Sequence, residues 1–130
     1  MNNRKPRPSP LDNIPAVLNA TEDLKGLSGK LSASLVAEAF GISIDELAHY
    51  IGHSPQALNK TPDADSIQNK LAFFERVARL RALVPSADFK KWLRTPNPVL
   101  DGRSPLHLLA HNEGQVAADL VDDMLTGAPT

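Results

Sequence analysis

The four histidines have the most chemistry to offer, and they fall in two pairs at four-residue spacing, His49/His53 and His107/His111. On a helix each pair would share a face, as in some zinc sites. His53, however, falls where a turn is expected and His111 near a helix end. No glutamate is placed as in the His-Glu-x-x-His signature. Surface and capping roles are therefore expected for them, with no metal site. The chain has no cysteine, so a disulfide framework, a thiolate metal site and a thiol nucleophile are all excluded. The glycines at 26, 29, 41, 52, 102, 114 and 127 are scattered, and they form neither a phosphate-cradling loop nor a nucleophile elbow. An enzyme is not expected, and no cofactor.

Binding chemistry is better represented. Ser54, Gln56, Asn59 and Lys60 share a short segment. Glutamine and asparagine can bond adenine edges bidentately, and a lysine suits phosphate. The competing reading is an ordinary polar helix face. Asp122 and Asp123 stand in the last turn of a helical pattern, where the macrodipole is already negative. Acids there cost about 0.3–1 kcal/mol at low salt. Either they meet a basic partner surface or they serve solubility.

The elements that must position these residues are helical. Aromatic residues make up only 5% of the chain, so leucine, alanine and valine carry the core, a balance that favours helix over sheet. A first helix starts at Ser32 or Ser34 and ends at Phe40, with Gly41 as a left-handed stop. Ser43 and Glu46 form a capping box for the next helix, which carries Leu47, Ala48 and Ile51. Gly52-His53 is the turn, and Ser54-Pro55 caps the helix that follows. Ala48 lets two helices cross closely, Gly52 makes the corner and Leu58 anchors the second helix, the frame a helix-turn-helix needs. His53 departs from that frame, because an apolar residue is usual there. The second helix is also short, ending near Thr61-Pro62.

One long helix is expected from Asp65, with Gln68 as its capping partner, to Val84, where Pro85 ends it. It bears two apolar stripes, Ile67, Leu71, Phe74, Ala78 and Phe73, Val77, Leu80, Val84, wider than a surface helix requires. Glu75 and Arg79 make a favourable pair on it. A short helix from Ala87 to Arg94 carries Phe89, Trp92 and Leu93. Helices from Pro105 to about Ala110 and Glu113 to about Leu125 complete the chain. In the last, Val116, Leu120 and Met124 form one stripe, with Ala117, Val121 and Leu125 beside it. The fold class is thus all-α: an N-terminal helix-turn-helix bundle, a long central helix and a small C-terminal helical domain. The corresponding segments are a flexible tail (1–24), the helix-turn-helix region (25–64), the central helix (65–84) and the C-terminal domain (85–130).

A net charge of −1 excludes a wholesale polycation, so nucleic-acid binding must come from a local patch, doubled by dimerisation. Arg4, Lys5 and Arg7 make the proline-broken tail locally basic. It reads as a solvated tail, or else as an arm on DNA phosphate. The N-terminus lacks the apolar run of a signal peptide, and no apolar stretch is long enough to cross a bilayer. Together with the missing cysteines this fits a cytoplasmic protein.

The most specified stretch runs from Lys91 to Leu109. Trp92 and Leu93 close a helix that Thr95-Pro96-Asn97-Pro98 cannot continue. Asp101-Gly102 supplies a turn, and Ser104-Pro105 starts the next helix with a serine cap and a preset φ. A connecting loop this specified usually has a function of its own. The series Trp92-Leu93, Thr95-Pro96-Asn97, Leu100, Gly102, Ser104-Pro105-Leu106, Leu109, Gly114, Val116, Leu125 and Gly127 resembles the toxin-binding domain of the Xre/MbcA/ParS family of bacterial antitoxins. The resemblance covers roughly the last third of the chain.

The resemblance implies the antitoxin of a type II toxin–antitoxin pair. Its partner would be a RES-domain toxin that consumes NAD⁺, which the C-terminal helices would inhibit by occlusion. It also implies homodimers that place two recognition helices on operator DNA for autoregulation. Asn97, Arg103, Asp122, Asp123, Thr126 and Gly127 are then the expected toxin contacts. Trp92, Leu100, Leu106 and Leu109 are expected to hold the domain together. The alternative is a helix-turn-helix transcriptional regulator with no toxin partner. A further one is an interaction module that has lost DNA binding.

Overall fold

The computed structural model describes residues 19–127. The basic residues Arg4, Lys5 and Arg7, and most of the expected tail, lie outside the described residues. Among those described, no strand is present, and two isolated bridges, Lys25 to Leu31 and Asn97 to Arg103, close short loops.

From Ala33 onward the elements are α1 (Ala33–Phe40), α2 (Ile44–Ile51), α3 (Pro55–Lys60), α4 (Gln68–Ala78), α5 (Ser86–Arg94), α6 (Pro105–Ala110) and α7 (Gly114–Thr126). Local chemistry sets their ends. Ser43 and Glu46 form the reciprocal capping box of α2, and Ser54 Oγ and Ser104 Oγ accept from the backbone N–H of Ala57 and His107. Each such bond satisfies a donor that the first helical turn leaves free. Gly41 and Gly52 stop α1 and α2 in the left-handed conformation, where a side chain would be strained.

The long helix expected over 65–84 is instead three pieces. Asp65–Ile67 and Arg79–Ala82 are 3₁₀ turns on either side of α4. Gln68 does not cap it. Its amide bonds both backbone groups of Leu31, 2.9 Å each, and so ties the 25–31 loop to α4. At the other end Pro85 disfavours helix in the residue before it. The chain tightens there, with Leu83 and Val84 both donating to the Leu80 carbonyl. That change of pitch turns Leu80 into the core and leaves Leu83 exposed.

The core gathers around Phe40, whose ring meets Phe74 and Phe89 edge-on at 5.4 Å each. Helix α4 packs against α1 and α7, α6 against α7 and α5, and α2 against α6. Because α4 is clamped on two sides, Leu71, Phe74, Val77 and Ala78 are buried, whereas Phe73 is left on the rim, 36% exposed. The second expected stripe of α4 is therefore only half realised. In α7 the buried residues are Gly114, Ala117, Ala118, Leu120, Val121 and Leu125, while Val116 is exposed and Met124 half-buried. Small side chains at 114, 117 and 118 allow the close crossing that larger ones would block. Gly114 is the tightest point, since a Cβ there would lie 3.0 Å from Leu109 Cδ2 and 3.1 Å from Phe73 Cβ.

Candidate functional site

The loop between α5 and α6 is built almost wholly from its own backbone. Asn97 N–H donates to the Arg103 carbonyl, 3.1 Å, and Gly102 N–H to the Asn97 carbonyl, 2.9 Å. Asn97 Oδ1 accepts from Val99 N–H, 2.9 Å, and caps a 3₁₀ turn over Pro98–Leu100. Asp101 and Gly102 turn the chain with positive φ, and Leu100 points into the core. Pro96, Pro98 and Val99 face outward, Val99 at 61% exposure. The result is a rigid knuckle with an apolar tip.

Arg103 closes the base of this knuckle. Its Nε donates to the Leu100 carbonyl, 3.2 Å, and Nη1 to Glu113 Oε2, 2.7 Å. Glu113 immediately precedes α7, so the ion pair locks the loop to the last helix. Nothing in the spacing of 103 and 113 along the sequence foretells the contact with Glu113. Trp92 is half-buried, stacked beside Phe89 at 6.3 Å, and Leu106 is likewise half-buried. The fully enclosed leucines are Leu93 and Leu108, with Leu100 and Leu109 nearly so. Trp92, near the end of α5, and Leu106, in the first turn of α6, pack against the margin of the core.

The second group of expected contacts lies at the end of α7. Asp122 is engaged within the chain, its carboxylate 2.5 Å from the Arg76 guanidinium of α4, which also reaches Asp119 at 3.1 Å. The bond from Asp122, aided by that from Asp119, raises the Arg76 pKa against a burial cost. An acid in the last turn is therefore explained without any partner: α4 supplies the compensating cation. Asp123 is exposed, and its backbone carbonyl accepts from Thr126 Oγ1, 3.3 Å. Gly127 ends α7 in the left-handed conformation. Asp123, Thr126 and Gly127 thus form one exposed corner, while Asn97 and Arg103, both half-buried, form a second group. No hydrogen bond joins the two among the described residues.

The corner made by α2 and α3 turns at Gly52-His53, with Ala48 and Leu58 fully buried at the crossing. Ser54, Gln56, Asn59 and Lys60 are all exposed. Two of these contacts are inward-looking: Ser54 Oγ donates to Gln56 Oε1, 2.9 Å, and Asn59 Nδ2 donates to the Pro55 carbonyl, 3.0 Å. Exposed bonds of this sort exchange readily for a ligand. Lys60 has carboxylates downstream, where Asp63 accepts from Ser28 and Asp65 pairs with Lys30.

Among the described residues no helix is long and apolar enough to cross a membrane. No group of three metal-ligating side chains converges there.

Residues 79–127 match the family model of the antitoxin Xre/MbcA/ParS C-terminal toxin-binding domain, a segment that begins ahead of the boundary expected at residue 85. The fold is similar to a chain in the crystal structure of the M. tuberculosis MbcT–MbcA toxin–antitoxin complex. The TM-score is 0.57 at 23% identity, covering 75% of this chain and 94% of that one. No curated protein sequence matches the chain.

Proposed function

We propose that the chain neutralises one cognate toxin by docking its C-terminal region, residues 85–130, on that partner, since residues 79–127 match the model of the Xre/MbcA/ParS antitoxin toxin-binding domain. The family match is the observation that carries the reading. The knuckle at 97–103 adds a physical reason, since a rigid loop loses little entropy on binding and offers Val99 as an apolar anchor. Asn97, Arg103, Asp123, Thr126 and Gly127 are the contacts, with Asp122 contributing only where Arg76 releases it.

The partner in this reading is a RES-domain toxin that consumes NAD⁺, and inhibition is occlusion of its active site. NAD⁺ is the toxin's substrate and not a ligand of this chain, which acts by binding and not by catalysis. Region 25–64 binds operator DNA as a helix-turn-helix. Gln56 and Asn59 face bases, Ser54 and Lys60 face phosphates, and a cytoplasmic homodimer presents two copies of α3 to a palindrome.

Co-expression with the toxin encoded beside it tests this. The expected result is a co-purifying complex in which NAD⁺ consumption stops. A chain that neither retains that toxin nor slows its NAD⁺ consumption overturns the proposal, and retained binding to upstream DNA would then favour a regulator without a toxin. A gel shift at two salt concentrations tests the DNA arm separately. Phosphate contacts give a steep salt dependence, and Lys60→Ala should lower the slope by about one.

A further inference from the structure

Three of the four histidines, separated in sequence, meet at one open cavity of about 370 Å³. His49 and Tyr50 enter it from α2, Arg94 from the end of α5, and Ser104, His107 and His111 from α6 and its two caps. No carboxylate is among the lining side chains. Two of these groups are engaged within the chain, His111 Nδ1 donating to the His107 carbonyl at 2.8 Å and Tyr50 O–H to Glu46 at 3.5 Å, which leaves His49, His107, Arg94 and Ser104 to face a ligand.

The geometry disfavours a metal. The His107 and His111 rings are stacked, with centroids 4.0 Å apart and planes 24° from parallel. Their in-plane lone pairs then run side by side instead of converging at the 2.0–2.1 Å that zinc requires. The same arrangement suits an anion. Arg94 is fixed by donating to the carbonyls of Lys90, Phe40 and Gly41, at 3.1, 3.3 and 2.7 Å. That leaves part of its five-donor fork for a ligand. Ser104 Oγ accepts from His107 N–H, so its hydroxyl proton remains to be donated.

We propose that this cavity binds a doubly charged oxyanion, the phosphate group of a small phosphorylated molecule. The inference is independent of the toxin reading. The two rings, 4.0 Å apart, present their edges to the same open space as Arg94 and Ser104. The other charged groups on the packed elements are Asp45 and Glu46 on α2 and Asp88, Lys90 and Lys91 on α5, and α6 carries none besides its histidines. Glu46 is held by the Ser43 cap and by Tyr50, and Glu113 beyond α6 by Arg103.

Imidazole resonances of the full chain, followed by NMR during titration with inorganic phosphate and with sulfate at constant ionic strength, test the site. Sulfate and phosphate share the tetrahedral oxyanion shape, so a built site should take both. His49, His107 and His111 should shift saturably, while His53, in the turn between α2 and α3, stays still as an internal control. His107→Gln, an exposed position whose fold is checked by circular dichroism, should weaken both ions by about tenfold. Equal shifts at all four histidines, no saturation, or unaltered binding by a folded His107→Gln variant would each overturn the proposal.

Discussion

Arg76 on α4 and Asp122 on α7 stand 2.5 Å apart, 46 residues distant in sequence, and join the middle of the chain to its last helix. Asp119, one turn earlier on α7, shares the same guanidinium. Both partners are part-exposed, so the pair is worth about 0.5–1 kcal/mol and not more. A double-mutant cycle with Arg76→Ala and Asp122→Ala should return that coupling, and raised salt should shrink it. A coupling of zero would show that the two groups do not hold α4 to α7. Reversing the charge at Asp122 therefore perturbs the fold as well as any partner surface. Asp123→Lys is the cleaner probe of toxin contact, expected to leave stability within about 0.5 kcal/mol while weakening toxin capture.

Asn97 separates two roles that alanine substitution alone would confuse. Its Oδ1 caps Val99 N–H, and its Nδ2 is free of protein partners among the described residues. Asn97→Ala should cost about 1 kcal/mol of stability by removing the cap, read from chemical denaturation. Asn97→Asp keeps the acceptor and should retain that stability, yet lose toxin affinity about tenfold if the amide donates across the interface. Full toxin affinity in the aspartate variant would assign Asn97 to the scaffold alone.

Gly114 is where α7 approaches α4 and α6 most closely. Gly114→Ala gains helix propensity of up to about 1 kcal/mol. The added methyl, however, meets Phe73 Cβ and Leu109 Cδ2 at about 3 Å, and the former cannot swing away. Overpacking of that kind costs about 1–3 kcal/mol. The expected net is a destabilisation of about 1 kcal/mol, measured as a lower denaturation midpoint with an unchanged slope. A more stable variant would show that the crossing yields freely.

Tyr50 is the single tyrosine, so its titration can be read directly from tyrosinate absorbance. Burial pushes its phenol above the usual 10.0, and the nearby Glu46 charge and hydrogen bond push it further, against Arg94. The folded state therefore holds the proton more tightly than the unfolded chain does. That contribution to stability is fully present below pH 10.0 and is lost as the pH rises through the folded value. The midpoint should lie above 10.0 in the native protein, and Glu46→Gln should lower it only part of the way, because burial is the larger cause. In Tyr50→Phe the stability lost above pH 10.0 should be smaller than in the parent chain. A native midpoint at or under 10.0 would contradict the packing of α2 against its neighbours.

Much of the architecture was open to inspection from sequence alone because its causes act within four residues. The capping box at Ser43 and Glu46, the serine caps at 54 and 104, the glycine stops at 41, 52 and 127 and the pair Glu75–Arg79 at 3.1 Å all follow from that short reach. The segment from Trp92 to Gly127 was equally readable, since its prolines, turn residues and leucines occur in one fixed order.

What only the tertiary structure decided depends on how helices cross. Spacing along a helix says which residues share a face, but not how much of that face a neighbour covers. Hence Phe73 and Val116 surface while Leu108 is enclosed, Trp92 rests at a margin, and α4 is shorter than its apolar pattern. The same reason governs the charges. Arg76 finds Asp122, Arg103 finds Glu113, and His49 joins His107 and His111 around Arg94, because helix crossings carry those side chains together. Local chemistry set where the helices begin and end, and packing set which of their side chains meet.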